Sequence, residues 1–107
     1  MHVNQIKYRE RKYGDIEIEI ETAEEKEWYI ISSVLNIVKP IKITIIDYAL
    51  ILHVDHFPAP TIVISQYPNI TINIPKEYAH LARKILNHFK AIEYDEEEAD
   101  EKTRWGE

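Results

Sequence analysis

The chain has 107 residues, of which 45% are apolar and 30% charged, with a formal net charge of −6 and no cysteine. That length holds one domain with a core of its own, and the missing thiols exclude disulfides, thiolate metal centres and cysteine nucleophiles. No run reaches the roughly 18–20 apolar residues of a membrane span, and the charged start MHVNQIKYRERKYGD has no apolar signal segment, so a cytoplasmic protein without a membrane partner is expected.

The first element reads as a hairpin. Ile6 and Tyr8 alternate with Lys7, Arg9 and Arg11, and Ile16, Ile18 and Ile20 alternate with Glu17, Glu19 and Glu21. A loop of Lys12, Tyr13 and Gly14 puts the glycine where a left-handed residue is wanted. That register sets Arg9 opposite Glu17, Lys7 opposite Glu19, Tyr8 opposite Ile18 and Ile6 opposite Ile20. Each pair contributes roughly 0.2–1 kcal/mol, so the ladder chiefly fixes register.

Thr22 and Glu25 have the spacing of a capping box, and a helix is predicted from there to just before Pro40, with Lys39 pushed toward extended geometry. Trp28, Ile31, Leu35 and Val38 form its core stripe. Ile30, Val34 and Ile37 widen the apolar arc, leaving only Tyr29, Ser32, Ser33 and Asn36 as a polar strip. A helix so apolar is covered on two sides, either by the sheet and the second helix together or by a second subunit, and in the second case Ile30, Val34 and Ile37 are the expected self-association surface.

From Pro40 to Pro75 the period falls to two. IKITIID, YALILHV, TIVISQ and ITINI predict four strands, although 41–54 could also form one long bent strand. YALILHV is apolar on both faces and should be central. A second helix then follows over Pro75–Ile92, with Tyr78, Leu81, Ala82, Ile85, Leu86, Phe89 and Ile92 on one arc and Pro75 in its first turn.

The fold class is α+β: an antiparallel sheet of about five or six strands with two helices packed on one face, in the order strand-strand-helix-strands-helix. Residues 1–93 make the domain and 94–107 an acidic tail expected to be disordered. Low glycine content, high charge and abundant isoleucine fit a thermophilic archaeal source, and an AT-rich genome would favour similar codons.

Chemistry-bearing residues are few. No nucleophile elbow, phosphate-cradling glycine loop or paired-carboxylate pattern occurs, so a non-enzymatic protein without a cofactor is expected. His53, Asp55 and His56, at the end of a strand, are the candidate ligands of a zinc-like ion in a small metal-dependent enzyme. The second helix carries Lys76, Arg83, Lys84 and Lys90, a face that suits RNA, single-stranded DNA or an acidic partner, with Tyr13, Phe57 and Tyr67 available for base stacking. Residues 76–92 hold four basic side chains against one acidic, whereas 93–107 hold eight acidic against two basic. The tail also carries Trp105, an aromatic placed to dock on a partner or on the basic face.

The stretch IEIEIETAEEKEWYIISSVLNI, read with the last helix, resembles the small subunit of the KEOPS tRNA-modification complex, a dimerising and non-catalytic component. The resemblance is one of element order over about half of the chain. It implies a homodimer, or pairing with a related subunit, within an RNA-handling assembly. One repeat of the TATA-binding protein is similar in topology alone. The leading expectation is an interaction module that dimerises through its first helix, and the alternative is a nucleic-acid-binding protein whose acidic tail competes for the basic face.

Overall fold

A computed structural model describes residues 5–11, 14–56 and 58–90. Strands β1 (Gln5–Glu10) and β2 (Ile16–Glu21) precede helix α1 (Glu27–Val38). Strands β3 (Lys42–Ile46), β4 (Ala49–His53), β5 (Thr61–Ser65) and β6 (Ile70–Ile74) follow, and then helix α2 over 79–90. All six strands join one antiparallel sheet in the order β1-β2-β6-β5-β4-β3. This is the α+β architecture expected. A turn at Asp47 and Tyr48 separates β3 from β4, so 41–54 is two strands and not one bent strand.

The order follows from the connections. Short links join β3, β4, β5 and β6 into a meander, while α1 carries the chain from β2 across the helical layer to the far edge. β4 is an interior strand, as its two apolar faces required, but it stands second from an edge; β6 and β5 occupy the middle.

Strand pairing aligns the isoleucines into rows. Tyr8, Ile18, Ile72, Ile64, Leu50 and Ile45 stand side by side across all six strands. Directly paired residues share a face, and Ile18, Ile64 and Ile72 in this row are fully buried. From the helical layer, Ile30, Ile31, Val34, Val38, Leu81, Ala82, Ile85 and Phe89 complete the core.

The hairpin has the register its alternation predicts, with Arg9 opposite Glu17 and Lys7 opposite Glu19. Gly14 takes a φ of +96°, a conformation that side chains with a Cβ rarely adopt. α1 is preceded by a 3₁₀ turn at Glu24–Lys26. It stops at Val38 ahead of Pro40, but Lys39 is left-handed (φ 52°) and not extended, and its N–H donates to the Leu35 carbonyl at 2.8 Å. This cap satisfies a carbonyl that the helix end would otherwise leave bare. Pro75 sits just outside α2 in extended geometry and leads into a 3₁₀ turn at Lys76–Tyr78. The expectation of a disordered tail, Trp105 and Ile92 lie outside the described residues.

Candidate interaction surface

The face of α1 differs from the one the sequence suggested. Ile30 and Val34 are fully buried within the chain's own core and so present no surface for a second copy, while Ile37 is half-buried and packs partly against that core. Trp28, expected in the core stripe, is instead 65% exposed. The physical reason is a rotation of the helix: with Ile30, Ile31, Val34 and Val38 centred on the sheet, Trp28 falls about 100° away from that centre.

Exposed apolar side chains collect elsewhere. Ile45 ends the row that runs through Ile18, Ile72 and Ile64, yet it is 71% exposed; Ile43, paired with the fully buried Leu52, is 42% exposed. Both stand on the face of the sheet that carries the helices, but on the strand farthest from β1 they extend past the cover the helices give. Ile41 and Ile46 are also exposed. β3 therefore continues the apolar core into solvent.

Its backbone is open as well. The Gln66 N–H donates to the Tyr48 carbonyl at 2.8 Å, which fixes the residues of β4 that bond toward β5. In an antiparallel ladder the bonding direction alternates along a strand. Ala49, Ile51 and His53 therefore bond toward β3, where their partners are Ile46, Thr44 and Lys42. The N–H and C=O groups of Ile43 and Ile45 are left pointing outward. Ile41 is not part of this open edge, because its N–H donates inward to the His53 carbonyl at 2.8 Å.

The opposite edge is built differently. By the same alternation, the Arg11 N–H bond to the Asp15 carbonyl (2.7 Å) leaves Ile6, Tyr8 and Glu10 facing outward on β1. There Ile6 is buried, and Lys7, Arg9 and Glu10 put charge along the strand. Charged side chains are a usual protection of a free edge; β3 has only Lys42, at its first position.

The face of the sheet away from the helices carries an ionic cluster. Glu17, only 7% exposed, accepts from Arg9 Nη1 at 2.9 Å and from Arg11 Nη2. Glu19 accepts from Asn69 Nδ2 at 2.8 Å and Arg9 Nη2 at 3.1 Å. The Asn69 hydrogen bond, then that of Arg9, holds the Glu19 carboxyl below its ordinary 4.5. A depressed folded-state pKa gives stability that is present above the unfolded value and lost as pH falls through the folded one. Thermal melts taken from neutral pH down to about pH 3 should therefore show a fall beginning near pH 4.5, and Glu19→Gln should make that part of the profile shallower. An unchanged profile in the variant would remove Glu19 from the account of acid lability.

The remaining expected sites are dispersed. His53 faces the open side of the sheet, where its Nε2 lies 3.1 Å from Thr44 Oγ1. Asp55 accepts a hydrogen bond from the Tyr78 hydroxyl at 2.9 Å, and His56 is in the exposed loop that follows. His53 and Asp55 thus have separate partners, and among the described residues no three His, Asp or Glu side chains gather as metal ligands. Burial, then the bond to Asp55, pushes the Tyr78 hydroxyl above its ordinary 10.0.

Lys76, Arg83 and Lys84 are exposed on α2 and its leading turn, while Lys90 is half-buried. Arg83 and Lys90, seven residues apart, share one side of α2, and Lys76 stands in the turn that leads into it. Tyr13 and Phe57 lie outside the described residues. Tyr67 is exposed and meets Tyr48 edge to face, with ring centroids 5.4 Å apart. These two rings border an open cleft of about 490 Å³ completed by Thr22, Glu27, Gln66 and Pro68.

No helix among the described residues is long and apolar enough to cross a membrane. No known protein family, curated protein or solved structure matches the chain.

Proposed function

We propose that this chain is a non-enzymatic interaction module that joins copies of itself, or a closely related subunit, along strand β3. The observation that carries the reading is the exposure of Ile43 and Ile45 on an edge whose other four neighbours in the same rows, Leu52, Ile62, Leu50 and Ile64, are buried. Apolar side chains continuous with a core are covered at lowest cost by another apolar surface, and an unpaired strand edge supplies directional hydrogen bonds to whatever covers it. The element order that resembles the dimerising KEOPS subunit accords with this reading without adding a residue to it.

Amide hydrogen exchange at low and high protein concentration tests the proposal. Exchange at Ile43 and Ile45 should slow as concentration rises, while exchange at Tyr8 and Glu10 on the opposite edge stays constant. Protection that appears on α1 or β1 instead, or nowhere, would contradict it.

A further inference from the structure

The free edge also specifies a geometry. Resting on the reading above, we infer that two copies pair β3 against β3, antiparallel, about a two-fold axis through Thr44, so that the two sheets become one.

Three observations lead to this arrangement. The first is bonding direction. Ile43 and Ile45 are the residues of β3 whose N–H and C=O groups face outward, while Lys42, Thr44 and Ile46 bond to β4. A two-fold axis at Thr44 places Ile43 opposite Ile45 of the second copy and Ile45 opposite its Ile43. Both outward residues then exchange N–H···O bonds, and Thr44 falls at a non-bonded pair, as antiparallel alternation requires. Moving the axis to Ile43 would set Ile45 opposite Ile41, whose N–H is already given to His53. Moving it to Ile45 would set Ile43 opposite Asp47, which has left the strand with a φ of 46°. The Thr44 register is the one that uses both open residues.

The second observation is side-chain matching. On the helix side this register joins Ile43 and Ile45 to the same pair of the second copy, which extends the buried rows across the junction. On the other side Thr44 meets Thr44, a favourable cross-strand pair, and Lys42 lies opposite Ile46 with no like charge facing it. The third is the contrast with β1, where a two-fold pairing would bring the charged Lys7, Arg9 and Glu10 together. Self-pairing is thus specified for one edge and opposed at the other.

The chain has no cysteine, so an introduced thiol reports position without background. Non-bonded antiparallel pairs bring Cα atoms to about 4.5 Å, within disulfide range. Under mild oxidation Thr44→Cys should form a disulfide-linked dimer at least about tenfold faster than Lys42→Cys, whose thiols would sit roughly 13 Å apart, or than Trp28→Cys on α1. As a second measurement, Ile43→Cys mixed with Ile45→Cys should cross-link faster than either alone. Circular dichroism confirms that each variant is folded, and sedimentation of the wild-type chain is run beside them.

A wild-type dimer with rapid Thr44→Cys cross-linking supports the inference. A wild-type dimer in which Lys42→Cys or Trp28→Cys links faster overturns the geometry and leaves self-association standing. A monomer at 100 μM or so overturns both, and assigns the edge to a different occupant.

Discussion

Replacing Ile72 with alanine is expected to lower the unfolding free energy by about 2–5 kcal/mol, the range found when a buried branched side chain is cut back to a methyl group. Ile72 is fully buried at the middle of the sheet, with Ile18 beside it on β2 and Ile64 on β5. Both neighbours are themselves fully buried and held by their own ladders. The backbone of β6 is bonded on both sides, so the strand cannot move inward to fill the space left. A cavity therefore adds to the lost transfer free energy, and the result should fall in the upper half of the range. Urea unfolding followed by far-ultraviolet circular dichroism, at one fixed protein concentration because association adds to apparent stability, gives the number. A loss below about 1 kcal/mol would mean that the isoleucine rows are not the packed core described.

Replacing Ile45 with lysine separates folding from association. Ile45 occupies the same row as Ile72, but at the edge, where its side chain is largely in water. The monomer should lose no more than about 0.5 kcal/mol of stability, as surface substitutions do. Association should suffer far more. The lysine would have to be buried against an isoleucine of the second copy, and a charge desolvated without a partner is costly. A weakening of about a hundredfold or more, equivalent to about 2.8 kcal/mol, is expected. Lysine on a strand edge is also the substitution by which many sheets avoid pairing. The two variants make opposite statements about one row of side chains: Ile72 holds the fold and Ile45 holds the assembly.

The sequence made the hairpin legible to the residue. Alternating isoleucine and glutamate admit one register, since a slip by one residue would turn Ile18 and Ile20 into water and Glu17 and Glu19 into the core. The position at which α1 ends was legible from Pro40, although Lys39 closes the helix in a left-handed conformation and not the extended one expected, and the buried arc of α2 was legible from a sustained helical period. The candidate surface was not legible. Local periodicity shows that Ile30 and Val34 are apolar, but whether they meet the sheet or another subunit depends on how α1 rotates over strands distant in sequence. IKITII looks like an ordinary strand until the meander and the α1 crossover place it at the edge. One sign was present: Ile41, Ile43 and Ile45 alternate with Lys42 and Thr44, but Ile46 follows Ile45 directly, so both faces of the strand carry an apolar group. The scatter of His53, Asp55 and His56 was likewise hidden, because the bend after β4 decides where Asp55 points.

Sedimentation equilibrium of the wild-type and Ile45→Lys chains, run together from about 1 to 100 μM, tests the central claim most directly. The wild-type chain should move from its monomer mass of 12.7 kDa toward twice that value as concentration rises. The Ile45→Lys chain should remain at the monomer mass throughout while keeping a wild-type circular dichroism spectrum. A wild-type chain that stays monomeric, or a variant that dimerises as well as the wild type, would contradict the assignment of β3 as the surface on which this protein assembles.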